Sequence, residues 1–600
     1  MTGEGGKSQR GGLFGAVTLT AFAVLLFVLV PSAGSARTPG ATITVTTTVD
    51  GTGGPNCTLR DAITAANTDT ATGGCSAGHG ADTIDFSVSG QINLGSTLPA
   101  VASQLTVDGS GRSIVVSGQG SVRVLEVDAG GSLTLQGLTV ADGAAADAGG
   151  ILNEGALLVA DSTLSHNEVD ENFGMGAGIW NTAQGRLTVT NSSLSDNGEF
   201  EGGLGGGVYN DGEALVQNAT FSGDGADDGG AIFNAAGGRL AVSDASFTGN
   251  SAEGGGAIEN FGTTLSIGNS SFLGNLATGG GAILSRAGTT LTVDDSVFSG
   301  NGAQTGGAII SEGIVTVARS TFSGNDSDTG GAIAIFGTLR VVDSSFWGNE
   351  ARDGGGISMR GSGTVRRSTF AGNNAEDEGA GIDNGGTLAV SNSTFAGNTT
   401  LGGPGGGIES SGTLTVVNST LVGNGALEGA GIANEGTATL ANTIVAGSTH
   451  GGDCSGFDAA GTSNMADDST CGLTFRQVRL ARLRLGPLAN NGGPTQTIAL
   501  RRGSVAINAG DNAAAQGLVT DQRGPGYPRI VGPRVDIGAF EVQQPSSGRG
   551  RRPAACAPCR GGSARLTDPA HPAPGPGLAE TGPGRHVPER PCRRSAGRPR

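Results

Sequence analysis

The segments Gly330-Gly331-Ala332-Ile333 and Leu339-Arg340-Val341-Val342-Asp343-Ser344-Ser345-Phe346-Trp347-Gly348-Asn349 decide the fold of this chain. Apolar and polar residues alternate within them in three separate stretches. Alternation with a period of two over a few residues is typical of β-strands, and the Gly, Asn, Asp and Ser between the stretches favour turns. One phrase therefore predicts three short strands and three turns.

The phrase recurs along most of the chain, at intervals of 23 to 30 residues. Its last large apolar residue falls at Val140, Leu164, Leu194, Phe221, Phe247, Phe272, Phe298, Phe322, Phe346, Phe370, Phe395, Leu421 and Ile444. The isoleucine of the Gly-Gly-Ala-Ile phrase keeps step at Ile232, Ile258, Ile283, Ile309, Ile333, Ile357, Ile382, Ile408 and Ile432. We expect each set to form a continuous internal stack.

A unit of about 25 residues cannot bury its apolar side chains alone, but identical units stacked at roughly 4.8 Å bury them against one another as parallel strands. Parallel crossovers are nearly always right-handed. A leucine-rich horseshoe has units of similar size but needs the L-x-x-L-x-L-x-x-N phrase, which is absent. The sequence therefore predicts an all-β, right-handed parallel β-helix of about 14 coils over residues 100–475.

Recurrent asparagines should form side-chain ladders along the turns of this solenoid. The two candidate ladders are Asn153, Asn181, Asn210, Asn234 and Asn260 on one side, and Asn250, Asn275, Asn301, Asn325, Asn349, Asn373, Asn398 and Asn424 on another.

Both ends of an open stack of strands need covers, because exposed strand edges pair with other chains. Before the coils, residues 57–67 predict a short amphipathic helix with Thr58 as its N-cap. This segment resembles the CSLREA domain, found near the start of many exported bacterial β-helix proteins, and we assign residues 37–99 to this cap.

After the coils, four ordered phrases, at Leu485–Thr495, Ala506–Asp511, Thr520–Gly524 and Asp536–Glu541, resemble the choice-of-anchor C-terminal module of the same proteins. We assign residues 476–544 to this module. The central repeats are similar to those of polymorphic outer-membrane proteins and of the pectin-lyase-like superfamily. The resemblance implies a β-helix fold and export, and such proteins mostly lack a defined activity.

The N-terminus predicts export through a signal peptide at residues 1–36. A basic start is followed by the apolar run Leu13–Val30 and the small residues Ala33–Ala36, with cleavage expected after Ala36. The run is long enough that an uncleaved membrane anchor stays an alternative. The Pro-, Arg- and Gly-rich tail, residues 545–600, cannot build a core and is expected to be disordered or the product of a frameshift.

Seven cysteines in an exported chain are disulfide candidates, and four of them form the local pairs Cys57/Cys75 and Cys454/Cys471. The net charge is −18, with a basic tail after a strongly acidic body. An acidic body argues against nucleic acid and anionic lipid as partners. We expect a monomeric, extracellular or surface-attached rod with no cofactor, apart from weak Ca²⁺ binding.

Some proteins with this fold are enzymes, so the chain could contain catalytic residues. A lyase needs carboxylates that hold Ca²⁺ and a basic residue near them. The best set joins three arginines to five acids that repeat in equivalent turns, which favours a solvated acidic edge instead. The residues are Arg340, Arg366, Arg367, Glu350, Asp353, Glu376, Asp377 and Glu378. We predict no catalytic residues, and a polysaccharide lyase or glycoside hydrolase stays the alternative.

Three aromatic residues form the best candidate binding site. Trp180, Tyr209 and Phe233 each follow an inward-facing aliphatic residue, so alternation places them in a row on the outer face of adjacent coils. Aromatic faces in a row suit sugar rings or a protein partner. The expectation favoured over an open row is that the long turns here, with Phe173 and Phe200, fold over the row and bury it. The sequence favours a non-enzymatic, adhesin-like protein that binds a glycan or a cell-surface partner.

Overall fold

A computed structural model describes residues 40–169, 174–198, 203–456 and 460–543. It is a right-handed parallel β-helix of about 15 stacked coils, one more than the sequence suggested. From Leu125 to Ala446, each coil contributes one strand to each of three parallel sheets, as the repeated phrase predicted. The expected signal peptide and tail lie outside the described residues.

We name the sheets by their strands. The long-strand sheet comprises Thr42–Val45, Ala81–Phe86, Gln104–Asp108, Ser132–Gln136, Ala156–Ala160, Arg186–Thr190, Glu213–Gln217, Arg239–Ser243, Thr264–Gly268, Thr290–Asp294, Ile314–Ala318, Thr338–Val342, Ser362–Arg366, Thr387–Ser391, Thr413–Val417, Thr437–Ala441 and Ala460–Thr462.

The isoleucine sheet comprises Leu125–Val127, Ile151–Asn153, Ile179–Asn181, Val208–Asn210, Ile232–Asn234, Ile258–Asn260, Ile283–Ser285, Ile309–Ser311, Ile333–Ile335, Ile357–Met359, Ile382–Asn384, Ile408–Ser410, Ile432–Asn434 and Cys454–Ser455.

The phenylalanine sheet comprises Gly90–Asn93, Ile114–Ser117, Thr139–Ala141, Thr163–Ser165, Ser193–Ser195, Thr220–Ser222, Ser246–Thr248, Ser271–Leu273, Val297–Ser299, Thr321–Ser323, Ser345–Trp347, Thr369–Ala371, Thr394–Ala396, Thr420–Val422, Ile444–Ala446, Asn464–Ala466 and Phe475–Gln477.

Smaller elements complete the structure. The turns that precede the isoleucine strands add a four-stranded sheet, which we call the turn sheet, and an additional strand pair, and an antiparallel pair follows the coils. Their bounds are Asp326–Thr329, Glu350–Asp353, Asn374–Glu378 and Thr399–Thr400; Ala144–Ala145 with Glu168–Val169; and Leu485–Ala489 with Thr497–Leu500. The two helices are α1, Leu59–Thr68, and α2, Leu480–Leu483. Neither helix is long enough to cross a bilayer, and the described residues contain no other.

Both predicted apolar stacks lie inside the coil. The eight phenylalanines of the phenylalanine sheet are fully buried, and successive rings lie 4.5 to 4.9 Å apart and nearly parallel; they are Phe221, Phe247, Phe272, Phe298, Phe322, Phe346, Phe370 and Phe395. The stack departs from the prediction at its C-terminal end. Leu421 pairs with Val445, so Val445 takes the inward position. Ile444 is buried on the opposite side, against the C-terminal module.

The two asparagine ladders also form as predicted, with their side chains buried. In the first, each amide from Asn153 to Asn234 donates to the next carbonyl oxygen at 2.6 to 2.7 Å. The second begins earlier than expected, with Asn167, Asn197 and an aspartate, Asp224, in the position of an asparagine. These side-chain hydrogen bonds satisfy buried polar groups of the turns, which the hydrogen bonds between strands leave without partners.

The solenoid begins before the expected boundary at residue 100. Thr42–Val45 already pairs in parallel with Ala81–Phe86, and α1 lies between these strands in sequence. The Thr58 hydroxyl accepts a hydrogen bond from the Asp61 amide and caps α1, as predicted. The N-terminal cap is therefore built into the first coils.

The C-terminal module lies along the side of the last coils. Gln522 donates to Ser368 O and Thr369 Oγ1, and Thr394 Oγ1 donates to Gln522 Oε1, so one side chain contacts two coils. Within the module, the Arg523 guanidinium is buried between the rings of Tyr527 and Phe540. The module thus covers the outer face of the phenylalanine sheet there.

Both predicted disulfides, Cys57–Cys75 and Cys454–Cys471, are present. The first lies beside α1 and the second near the last coil, and all four cysteines are buried. Each bond thus ties one end of the solenoid.

Candidate ligand-binding face

The repeat places Trp180, Tyr209 and Phe233 together on the outer face of the isoleucine sheet. They are the central residues of three adjacent strands and pair directly in register. The glycine turn before each strand folds back over it. A Cβ on Gly229, whose φ is +64°, would lie 2.5 Å from Ile232 O, so only glycine fits there. The aromatic side chains therefore emerge beside a turn held close to the sheet.

The three rings contact one another but do not form a uniform stack. Tyr209 and Phe233 are parallel, with centroids 5.2 Å apart and planes at 8°. Trp180 stands edge-on to Tyr209, at 6.3 Å and 88°. Trp180 and Tyr209 are half-buried, whereas Phe233 is 7% exposed. The accessible part of the row is thus Trp180 and Tyr209, and Phe233 supports them.

The row continues onto two residues that the sequence reasoning missed. Phe261 is 40% exposed and lies 5.5 Å from Phe233, and the Arg286 guanidinium lies 5.2 Å from the Phe261 ring. Each follows the inward isoleucine of its strand by three positions. This shared offset was visible in the sequence. We call Trp180, Tyr209, Phe233, Phe261 and Arg286 the aromatic row.

Acidic residues flank the row. Arg286 donates to Glu259 Oε1 from Nη2 at 2.6 Å and from Nε at 2.7 Å. Burial and the neighbouring Asp228 carboxylate raise the pKa of Glu259 to about 8. Burial, and then the charge of Asp211, raise the pKa of the Tyr209 phenol, which keeps it neutral at physiological pH. The outer face of the isoleucine sheet therefore presents uncharged aromatic rings, with the Arg286 guanidinium at one end of the row.

A second acidic group lies further along the same sheet face. Asp383 and Glu409 are register partners at the centres of adjacent strands and are almost fully buried, with Glu378 of the turn sheet beside them. Arg360 Nη1 contacts Asp383 Oδ2 at 2.9 Å, and Ser358 Oγ donates to the same oxygen. Burial, and then the charge of Asp383, raise the pKa of Glu409 to about 9.

The arginines and acids that a lyase would need together are not assembled into one site. Arg340 and Arg366 lie on the long-strand sheet, and Arg367 is paired with Asp343 at 2.7 Å on the turn after it. The acids Asp353 and Glu378 lie on the turn sheet, where Arg352 and Arg360 are the cations nearby. Sequence proximity was misleading because successive sheets of one coil face different directions. Glu350, Glu376 and Asp377 are exposed, as expected for a solvated acidic edge.

One further group near the C-terminal end has a structural role. Asp453 accepts the backbone amides of Asp467 and Asp468, and Asp468 accepts the amide of Asp453. The neighbouring Cys471 is bonded to Cys454, so its sulfur is not a free thiolate for a metal. These bonds hold the turns of the last coil.

Comparison with known proteins supports the fold. Residues 266–450, less than half of the chain, match the family model described as the right-handed β-helix region. No curated protein matches the chain. The coil geometry and this match together define a right-handed parallel β-helix protein.

Proposed function

We propose that this protein is exported and acts outside the cell as a non-enzymatic, adhesin-like rod that binds a glycan on the aromatic row. The observation that carries the proposal is the set of register-paired rings on one outer sheet face, with Trp180 and Tyr209 partly open to solvent. Sugar rings stack on aromatic faces, and parallel strands present such faces at regular intervals of about 4.8 Å.

The two disulfides support export. Buried disulfides form and persist in oxidising compartments and are rare in reducing ones. Cys57–Cys75 and Cys454–Cys471 lie at opposite ends of the solenoid, where an open stack is weakest. The resemblance of the two end modules to those of exported proteins points the same way.

The surroundings of the row favour a neutral glycan over an acidic one. Glu168 is exposed on the strand that precedes Trp180, and Asp211 follows Tyr209. Carboxylates accept hydrogen bonds from sugar hydroxyls and repel uronic acids. Of the long turns beside the row, the residues Asp170, Glu171, Phe173, Glu199, Phe200 and Glu201 lie outside the described residues.

The enzymatic alternative has less support. Glu259, which pairs in register with Phe233, is fully buried, and Asp383 and Glu409 are 1% and 3% exposed. A general acid must reach the glycosidic oxygen within hydrogen-bond distance. These carboxyl groups are shielded from a polymer lying on the face.

A glycan array with the secreted full chain tests the proposal. We expect binding to neutral glycans that Trp180→Ala weakens about fivefold, since a sugar-stacking ring contributes about 1 kcal/mol. Phe336→Ala is the matched control, because Phe336 is 51% exposed, at the same strand offset as Phe261 but outside the row. Equal loss in both variants, or no glycan binding, contradicts the proposal. Release of unsaturated or reducing sugars would favour the enzyme.

A further inference from the structure

Three carboxylates from two neighbouring coils converge on the outer face of the isoleucine sheet. One carboxylate oxygen each from Glu378, Asp383 and Glu409 lies within 4.8 Å of the other two. Asp383 and Glu409 stand at the same register on adjacent strands, so the backbone fixes their spacing. Glu378 is exposed and ends a strand of the turn sheet. Asp383 and Glu409 thus form the buried part of the group, and the side at Glu378 is open to solvent.

The charge of this group is only partly compensated. Arg360 pairs with Asp383, and neither Glu378 nor Glu409 forms an ion pair with a cation among the described residues. Asp353 and Glu435 add negative charge nearby. Like charges at such distances in a partly desolvated site repel by several kcal/mol unless a counter-ion or proton intervenes.

A separate observation concerns Glu409. Its side chain is 3% exposed, and its Oε2 is buried without a hydrogen-bond donor among the described residues. A buried acceptor without a partner costs about 1–3 kcal/mol. The same carboxylate contributes one of the oxygens that lie within 4.8 Å of Asp383 and Glu378.

We infer that Glu378, Asp383 and Glu409 bind one divalent cation, with Ca²⁺ as the fitting ion. The donors are all carboxylate oxygens, which Ca²⁺ accepts in irregular arrangements of six to eight ligands, whereas Mg²⁺ requires near-ideal octahedral geometry. Water would fill the remaining positions on the open side beside Glu378. The ion would bridge carboxylates of two successive coils on the outer face.

The same sheet contains a natural control. Glu259 and Asp228 also form a buried acidic pair, and Glu259 Oε2 also lacks a donor. Arg286 contacts Glu259 twice, however, and no third acid among the described residues joins them at ligand spacing. That pair carries one uncompensated charge, so we expect no divalent site there.

Isothermal titration of the EDTA-dialysed full chain with CaCl₂, and separately with MgCl₂, tests this inference. We expect one Ca²⁺ per chain with a dissociation constant of about 10⁻⁴–10⁻³ M, typical of extracellular Ca²⁺ modules, and weaker Mg²⁺ binding. Glu409→Gln should weaken Ca²⁺ binding at least about tenfold, since one charged ligand is lost. Glu259→Gln should leave it unchanged.

Thermal unfolding of the same proteins separates loss of the site from loss of the fold. Ca²⁺ should raise the Tm of the wild type and of Glu259→Gln, because a ligand that binds only the folded state stabilises it. Glu409→Gln should unfold cooperatively but show no such rise. Absence of saturable Ca²⁺ uptake by the wild type, or undiminished uptake by Glu409→Gln, would overturn the inference.

Discussion

Two ladders of aromatic side chains run along this solenoid, one inside the coil and one on its outer face. The internal ladder, from Phe221 to Phe395, contains one residue type with parallel rings at nearly constant spacing. The outer row contains Trp180, Tyr209 and phenylalanines, with ring planes from 8° to 88°. In the internal ladder, and from Trp180 to Phe233 in the outer row, the rings come from residues that pair in register on adjacent strands. Close packing imposes one ring geometry inside, whereas outside only the spacing is imposed.

The strongest test of this contrast is Phe322→Ala in the middle of the internal ladder. Phe322 is fully buried between Phe298 and Phe346. The substitution removes two ring contacts and leaves a cavity, so the free energy of unfolding should fall by about 3–5 kcal/mol. Chemical denaturation measures this loss. A loss below about 1 kcal/mol would show that the coil can collapse around the gap.

Phe233→Ala should give an intermediate loss, because this ring is on the outer face yet only 7% exposed. It stacks on Tyr209 on one side and contacts Phe261 on the other. We expect a loss of about 2 kcal/mol, below the usual value for a core phenylalanine. The same denaturation experiment measures it. A loss equal to that of Phe322→Ala would make the row part of the core.

The second asparagine ladder offers a pH-dependent test. Asp224 is fully buried, and its Oδ2 stands without a donor among the described residues. Burial raises its pKa to about 7, and the exposed Asp196 carboxylate adds to the shift. Asn197 and Asn250, the ladder neighbours, carry no charge. The folded state is therefore most stable when Asp224 is protonated.

The sign of the effect follows from the raised pKa. The folded state holds the proton more tightly than the unfolded chain, so the stability that protonated Asp224 contributes is complete below about pH 4 and is lost as the pH rises through about 7. Asp224→Asn should therefore unfold like the wild type at pH 4 and be more stable above pH 7, on the order of 1 kcal/mol. Tm measured against pH checks this, and an equal gain at both pH values would contradict it.

Trp180→Ala should have the smallest effect on stability. Trp180 is half-buried and contacts Tyr209 only by its edge. We expect a change below about 1 kcal/mol, as for most substitutions outside the core. A loss near that of Phe322→Ala would place Trp180 in a packed interior and remove it from the candidate site.

The repeat alone was sufficient to predict three sheets, the inward positions and both asparagine ladders, because parallel stacking at a fixed rise leaves each residue type one place in the coil. It misplaced the last inward residue, since the shift from Ile444 to Val445 depends on packing against a module distant in sequence. The shared offset of Phe261 and Arg286 was also visible in the repeat. Only the folded sheet face shows that their side chains are in contact.

The sequence by itself determined the class of fold, the disulfide pairs and the outward direction of Trp180, Tyr209 and Phe233. Only the tertiary structure decided which charges meet. Arg340, Arg366 and Arg367 are close to the acids in sequence yet lie away from the face that carries Asp353 and Glu378, while Arg360 reaches Asp383. The physical reason is that stacking joins residues about one coil apart, whereas the turns within a coil separate residues that are neighbours in sequence.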